Sequence, residues 1–314
     1  MSTVVDGPTR RQSTTPAARL RTTMAAVRVS IQWFGTRKTL TREQKSEAAD
    51  TFGAEGTFLS AGKKLVDTSH PAFKAVTSVR GKILGLWKAE SLPFPEPGVR
   101  LIRQDRIDAF NGRMQELRDE LEEAVSRLDE HFAELKSAAR ERLGRLFNAA
   151  DYPDSLRELF AVTWDFPSVE PPSYLQTLNP ELYQQECQRV QARFDEAVKL
   201  AEEAFTAELA KLVSHLNDRL SGQDDGKPRI FRDSAIENLT EFFARFRQLN
   251  VRSNDQLDQL VADAQRIIRG VEPQALRDNN GLRHHVATEM SRVQSVLDGL
   301  LVDRPRRAIL RRPK

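Results

Sequence analysis

Two long segments of the chain carry apolar residues at the spacing of a helix seam, and they restrict the possible folds more than any other feature. In the first, 104–147, apolar residues recur every three or four positions without an internal proline. The second, 180–220, opens with the helix-start signal of Asn179 and Pro180 and continues with the same spacing. As straight helices the two segments would be about 65 and 60 Å long.

The near-equal lengths and narrow seams predict an antiparallel helical hairpin over 104–220, in which each arm covers the apolar seam of the other as in a coiled coil. The segment between the arms, 151–175, contains four prolines. It is predicted to be an extended tip with a short amphipathic turn around Leu156–Trp164. The predicted fold class is therefore mainly α.

The hairpin is predicted to lie between a small α+β head, 26–103, and a helical bundle, 221–303. In the head, strict alternation from Val27 to Trp33 indicates a strand. A second strand is predicted at 99–103. The capping box of Thr41 and Gln44 and the first-turn Pro71 each indicate a helix.

The bundle is predicted from three amphipathic segments, and the chain ends from their composition. The segments are 234–249, 254–269 and 281–301, and each carries apolar residues at helical spacing. Residues 1–25 are polar and basic and are predicted to be a disordered arm, and residues 304–314 form a basic tail.

Charge is distributed unevenly along the 314 residues, although the net charge is only +3. Residues 1–106 carry 18 Lys and Arg against 9 Asp and Glu, whereas residues 107–220 carry 13 against 23. The remaining residues, 221–314, carry 17 against 13. Such blocks indicate separate surfaces with separate partners, or attraction between an acidic arm and a basic head within one molecule or between copies.

The single cysteine, Cys187, excludes an intrachain disulfide framework and fits a reducing compartment. No apolar run approaches the roughly 20 residues that a membrane-spanning helix needs. These observations predict a cytoplasmic protein without a membrane partner.

The stretch GTFLSAGKKLVD at 56–67 resembles a phosphate-binding loop, but it fails the motif at two fixed positions. Thr57 stands where the first glycine is required. Lys64 stands where a hydroxyl should bind magnesium. The chain therefore shows no sign of an ATPase or GTPase, and no other catalytic motif is found.

The five histidines show no metal-binding spacing, and one cysteine cannot begin a structural zinc site. Cys187 falls on the apolar stripe of the second arm, which favours a small core residue over a catalytic thiol. We therefore expect no metal, no cofactor and no enzymatic activity. Catalytic residues scattered over a fold are invisible to a motif search, so an enzyme remains an alternative.

Basic residues of the head and tail are candidates for nucleic-acid contact, since aromatic residues such as Phe58 lie among them. The alternative is that these cations only solvate the surface, while the aromatic residues, including Trp33, lie in the core. The candidate cations are Arg37, Lys38, Lys63, Lys64, Arg80, Lys82, Arg306, Arg307, Arg311 and Arg312.

The preferred interpretation is a non-enzymatic interaction or scaffolding protein that works through the protruding hairpin. Its partner surface is expected either on the hairpin or on the aromatic side chains of 234–249, namely Phe242, Phe243 and Phe246. The alternative is a nucleic-acid-binding accessory protein that uses the head and tail.

Several phrases resemble a family of helical proteins encoded by phages and plasmid-like elements. They include SAGKKLVD, LPFPEPGVRLI, RLGRLFNAADYP and FRDSAIENLTEFF, and the resemblance covers most of residues 59–265. Related families lie beside MoxR-type AAA ATPases and von Willebrand factor A proteins, which implies a partner in such an assembly. The resemblance supports a helix-rich fold and assigns no functional residue.

Overall fold

The computed structural model describes residues 15–220 and 233–302, which form two compact, mainly helical units. One, the helical unit, comprises the described residues in 15–26, 91–104 and 168–302. The other, the ribbon unit, comprises 27–90 and 105–167. The predicted head and the predicted hairpin each contribute to both units.

The described helices are α1 (Pro16–Thr23), α2 (Arg42–Asp50), α3 (Pro71–Ala89), α4 (Ile107–Glu130), α5 (Phe132–Leu143), α6 (Leu175–Leu178), α7 (Pro180–Leu220), α8 (Ser234–Leu249), α9 (Asp255–Ile268), α10 (Pro273–Asp278) and α11 (Asn280–Val302). The described strands are β1 (Met24–Gln32), β2 (Arg37–Thr39), β3 (Gly62–Lys64), β4 (Ser91–Pro93), β5 (Val99–Arg103) and β6 (Ala161–Asp165). Within these residues, no helix is both long enough and apolar enough to cross a membrane.

The helical unit is organised around α7, a single helix of 41 residues. Asn179 begins it by accepting a hydrogen bond from the backbone N–H of Leu182 at 3.0 Å, as its sequence signal predicts. The apolar stripe of α7 is buried against α11, α8 and α1. At the far end of α7, Arg283 of α11 donates to the carbonyl oxygens of Arg219 and Leu220, both at 2.9 Å. These carbonyls lack partners within their own helix, so the arginine completes the end of α7.

The prediction of a disordered N-terminal arm is wrong for the described part of that arm. Pro16 to Thr23 form α1, whose first turn is capped by Thr15. Ala17 and Leu20 are buried, because α1 lies against α7. The guanidinium of Arg19 donates to the carbonyl oxygen of Val251 at 2.6 Å, which fixes the outer face of α1 as well. Residues 1–14 lie outside the described residues, as does the predicted basic tail 304–314.

A short antiparallel hairpin of β4 and β5 also belongs to the helical unit, with Leu92 opposite Leu101. Both leucines are buried. Arg100 donates to the hydroxyl of Ser91 at 2.8 Å and to its carbonyl oxygen at 2.7 Å. Burial lowers the pKa of the Arg100 guanidinium to about 10, and a nearby Arg245 acts in the same direction.

The ribbon unit combines two packed helices, α3 and α4, with two separate strand pairs. In the first pair β1 runs antiparallel to β6, with Val29 opposite Trp164. In the second pair β2 runs antiparallel to β3. The alternation predicted for the first strand is confirmed, because burial in β1 alternates over residues 27–32.

The predicted hairpin is not confirmed, and the structure shows what covers the two seams instead. The first arm is not one helix: it ends at Glu130, passes through His131 and resumes as α5. The seam of α4 is buried against α3 in the ribbon unit, and the seam of α7 is buried against α11 and α8 in the helical unit. Each arm therefore finds its apolar partner within its own unit, so the other arm is not needed to cover it.

The predicted proline-rich tip is also different in the structure. Residues 161–165 form strand β6 rather than part of an amphipathic turn. Phe160 and Val162 are buried and alternate with more exposed neighbours, which is the period of a strand. A pairing with β1, distant in sequence, therefore decides the local conformation of this segment.

Candidate nucleic-acid interface

Four cations occupy two of the three residue pairs of the β2–β3 ribbon. Arg37 lies opposite Lys64, and Lys38 lies opposite Lys63. Like charges at directly opposed positions of an antiparallel pair destabilise it. The two pairs have different surroundings, because neighbouring positions on a strand point to opposite faces of the ribbon.

On the inner face, both lysines of the pair contact the single carboxylate of Asp151, which offsets one of their two charges. Its carboxylate lies 2.5 Å from the Nζ atom of Lys38 and 2.6 Å from that of Lys63. Lys63 also donates to the carbonyl oxygen of Leu146 at 2.6 Å. The side chains of Lys63 and Asp151 are only 5% and 2% exposed, so this is a buried ion pair. Lys63 is therefore a structural residue, and its predicted role as a nucleic-acid contact is wrong for this structure.

The ammonium groups of Lys38 and then Lys63 hold the pKa of the Asp151 carboxyl below its ordinary range. The carboxylate is supplied by a 3-10 turn, Ala149–Asp151, which is capped by the side chain of Asn148 through a hydrogen bond from the backbone N–H of Ala150. The adjacent Tyr152 is buried, and burial raises the pKa of its phenol. The carboxylate thus stays ionised at neutral pH and keeps the ribbon against the rest of the unit.

On the outer face, Arg37 and Lys64 are exposed. Within the part of the chain that the structure describes, neither has an ion-pair partner. Lys64 lines a groove of about 240 Å³ together with Arg142 of α5. The groove floor is apolar and includes Leu135 and Leu143.

The end of α5 adds a further cation, Arg142, beside the ribbon. Arg142 pairs with Asp67 at 2.7 Å, three residues beyond Lys64. Hydrogen bonds from Ser69, and then from Arg142, hold the pKa of Asp67 well below its ordinary range. Arg140, two residues earlier on α5, points to the other side of the helix and lies 5.2 Å above the ring of Phe147. We call the exposed cations of the ribbon and groove the basic face: Arg37, Lys64 and Arg142.

The sequence analysis did not single out the arginines of α5. They were counted with the acidic residues of 107–220, whose net charge is negative. A local signal was present in the stretch RERLGR at 140–145, which holds three arginines and one glutamate. The third, Arg145, forms an ion pair with Glu47 of α2.

Two aromatic rings are almost fully exposed on the segment that connects β2 to β3. Phe52 follows α2 and is 82% exposed, and Phe58 ends the next 3-10 turn and is 88% exposed. The capping box predicted at Thr41 and Gln44 begins α2, and the turn packs directly on that helix. This contact needs a glycine at 56, since a Cβ there would lie 2.9 Å from the Cα of Ser46.

Two other cations that the sequence predicted as contacts in the head, Arg80 and Lys82, already contact side chains of the same unit. Arg80 lies 4.8 Å above the ring of Trp33, which is half-buried and also contacts Phe160 edge-on at 4.7 Å. Lys82 pairs with Glu120 at 2.6 Å. The structure thus places these two cations on α3, against the unit's own side chains. The four predicted tail arginines, Arg306, Arg307, Arg311 and Arg312, lie outside the described residues.

The aromatic side chains of α8 are buried, contrary to their predicted role as a partner surface. Phe242, Phe243 and Phe246 are at most 6% exposed. Phe205 of α7 lies 6.1 Å from the ring of Phe242 and 5.0 Å from that of Phe246. The three rings therefore hold α8 on α7, and a partner could not reach them in this fold.

Three further observations concern metal binding and catalysis, neither of which the sequence analysis predicts. His70, His131 and Glu134 lie together in the ribbon unit, although no spacing of histidines predicted a cluster. A wide groove of about 720 Å³ in the helical unit is lined by Asp233, Glu237 and other residues that include no histidine or cysteine. Cys187 is half-buried on α7. The expectation that the chain is not an enzyme stays a prediction.

Comparisons of the chain with models of protein families, with curated proteins and with solved structures gave no match. The resemblance to phage-encoded helical proteins thus stays an expectation. What can be argued about function comes from the side chains themselves. The basic face can attract phosphate, and exposed phenyl rings can stack on bases.

Proposed function

We propose that this protein binds single-stranded nucleic acid through the basic face and the exposed rings of Phe52 and Phe58. The observation that carries the proposal is the convergence of the β2–β3 ribbon and the end of α5 on one groove, where Lys64 and Arg142 lie together. The protein would act as a nucleic-acid-binding accessory protein. This function was the alternative in the sequence analysis, and it now uses a partly different set of residues that keeps Arg37 and Lys64.

The charge arrangement supports phosphate as the recognised group. The two inner lysines share the carboxylate of Asp151 as an ion-pair partner, whereas Arg37 and Lys64 lack such a partner among the described residues. When protein cations contact phosphates, the nucleic acid releases the counterions that were condensed on it. This release supplies affinity without sequence preference. Arg142 is oriented by Asp67, so its guanidinium is held at the groove rather than left to rotate freely.

The exposed rings favour a single strand over a duplex. A phenyl side chain that is more than four-fifths exposed, as Phe52 and Phe58 are, contributes almost no burial energy to the fold. Both residues lie in the segment between β2 and β3, close in sequence to the ribbon cations. Aromatic rings beside a cationic track are typical of single-strand binding, because unpaired bases can stack on them. In a duplex the faces of the bases are covered by their neighbours.

The buried state of Phe242 and its neighbours removes one argument for the scaffolding function that the sequence favoured. A protein partner on the basic face remains an outcome of the test below. Such a partner would need acidic side chains, and it would compete with an oligonucleotide for Arg37 and Lys64.

The proposal is tested by fluorescence anisotropy with a labelled single-stranded oligonucleotide and a duplex of the same sequence. The double variant Phe52→Ser/Phe58→Ser should weaken single-strand binding by about 1–3 kcal/mol for each ring that stacks, and duplex binding far less. Lys74→Gln is the matched control, since Lys74 is an exposed cation on α3 of the same unit. No single-strand binding by the wild-type chain at low salt would overturn the proposal.

A further inference from the structure

His70, His131 and Glu134 bring three metal-binding groups together from two separate elements. Each offers one ligand atom, and these atoms all lie within 4.8 Å of one another. His70 stands at the N-cap of α3, His131 is the residue between α4 and α5, and Glu134 lies in the first turn of α5. The two imidazole rings are 5.2 Å apart between centroids.

We propose that these three side chains form a binding site for one divalent transition-metal ion of the zinc class. Imidazole nitrogens and a carboxylate oxygen are ligands that zinc accepts, and His₂Glu leaves a coordination position for water. Hard cations such as Mg²⁺ prefer oxygen ligands, so two imidazoles select against them. The proposal is independent of nucleic-acid binding.

The geometry of the local pair fits a shared ion. The Nδ1 atom of His131 lies 3.5 Å from the Oε2 atom of Glu134. Two ligands held about 2.1 Å from a tetrahedral ion are about 3.4 Å apart, so this distance suits neighbouring ligands. The spacing of three residues within one helical turn holds the two groups on the same side of α5.

His70 must give up one hydrogen bond to complete the site. Its Nδ1 atom accepts from the backbone N–H of Ala72 at 3.3 Å, so in the metal-free chain the proton of the neutral ring is on Nε2. Binding through Nε2 moves that proton to Nδ1 and ends the hydrogen bond. Binding through Nδ1 replaces the hydrogen bond from Ala72 with the bond to the metal ion. The hydrogen bond is longer than most, so the loss is smaller than for a well-formed cap.

The position of the cluster gives the ion a structural consequence. His131 lies at the break between α4 and α5, where the seam of the predicted first arm is interrupted. His70 begins α3, which packs along α4. An ion bound to all three side chains would therefore fix the direction of α5, whose far end carries Arg142 of the basic face.

Isothermal titration of ZnCl₂ into the full chain without a histidine tag tests the site. The expected result is one high-affinity Zn²⁺ per chain and a rise in melting temperature with added metal. Co²⁺ in place of Zn²⁺ should give visible absorption bands of a tetrahedral or five-coordinate ion.

Three variants and one control decide whether the proposed residues bind the ion. His70→Asn retains a side chain that caps helices well, and His131→Asn and Glu134→Gln change one ligand each. Loss of an outer partner of a metal site costs about 10–100-fold in affinity, so loss of a ligand should weaken binding by at least that factor. The control is His284→Asn/His285→Asn, which removes two adjacent exposed histidines of α11.

The results separate the proposal from adventitious binding. Weakened binding in the three variants, with an unchanged control and unchanged circular dichroism, supports the site. Wild-type affinity in His70→Asn and His131→Asn, or loss of binding in the α11 control, overturns it. The absence of Co²⁺ bands together with the absence of a calorimetric signal overturns it as well.

Discussion

Lys38 and Lys63 lie opposite each other in the β2–β3 ribbon, yet both ammonium groups meet the carboxylate of Asp151. A pair of like charges at this position would otherwise destabilise the ribbon. The compensation holds the inner face of the ribbon against the unit and leaves the outer pair, Arg37 and Lys64, exposed to solvent.

The first prediction concerns this carboxylate. Asp151→Asn keeps the shape of the side chain but leaves the buried ammonium of Lys63 without its counter-charge. We expect the free energy of unfolding to fall by about 3–5 kcal/mol, because an uncompensated buried charge is costly. Urea unfolding measures the change. Asp154→Asn, an exposed aspartate of the same segment, should change stability by less than about 0.5 kcal/mol. Equal effects of the two variants would contradict this account of the ribbon.

The second prediction concerns how the difference in unfolding free energy between wild type and Asp151→Asn depends on pH. The pKa of Asp151 is depressed in the folded chain, so the pair stabilises the fold fully above the pKa of an unfolded aspartate, about 3.9. As the pH falls below about 4 towards the folded pKa, this contribution is lost. The difference in unfolding free energy between wild type and Asp151→Asn should therefore be constant near neutral pH and shrink below pH 4. A difference that grows on acidification would contradict a lowered pKa of Asp151 in the folded chain.

The third prediction distinguishes a core role from a partner role for the aromatic residues of α8. Phe242 is 2% exposed and packs against Phe205, so Phe242→Ala should destabilise the chain by about 3–5 kcal/mol. The neighbouring exposed residue provides the control, since Glu241→Ala should be nearly neutral. Thermal and urea unfolding measure both. Unchanged stability in Phe242→Ala would return this surface to the candidates for partner binding.

The fourth prediction concerns the end of α7. Arg283→Met removes the two charged hydrogen bonds to the carbonyl oxygens of Arg219 and Leu220 while filling similar space. We expect a loss of at least about 1.5–3 kcal/mol, since each hydrogen bond to a charged group is worth that much. Arg292→Met is the control, because Arg292 pairs with Glu289 on the surface of α11. A loss as small as the control's would show that solvent satisfies these carbonyls equally well.

Local signals in the sequence predicted most of the helices. The capping box of Thr41, the first-turn Pro71 and the start at Asn179 each act over a few residues, and the helices that they begin are confirmed. The apolar spacing of 234–249 also predicted α8 with the observed bounds. These signals act within one element and need no knowledge of the rest of the chain.

The partners of the helices could not be predicted in the same way. An apolar seam such as that of α4 indicates that the helix packs against another element. It does not indicate whether that element is α3 or a distant arm. β6 was missed because its conformation depends on β1, more than 120 residues away. Periodicity within a segment contains no information about such pairings.

The candidate site was found only in part for similar reasons. Arg37 and Lys64, two of the predicted nucleic-acid contacts, are exposed, whereas Lys63 looks the same in sequence and is buried with Asp151, which is far away in the chain. His70 and His131 are separated by 61 positions, so no ligand spacing could link them. Their contact follows from the packing of α3 along α4.

The salt dependence of binding to a single-stranded oligonucleotide tests the central claim most directly. For single strands, the logarithm of the affinity falls with the logarithm of salt concentration with a slope of about −0.7 for each phosphate contacted. The double variant Arg37→Gln/Lys64→Gln removes two proposed contacts, so its slope should be shallower than that of the wild type by about 1.4. The Lys74→Gln control should retain the wild-type slope. Identical slopes in the double variant and the wild type, or no measurable binding at low salt, would contradict the claim that the basic face binds phosphates.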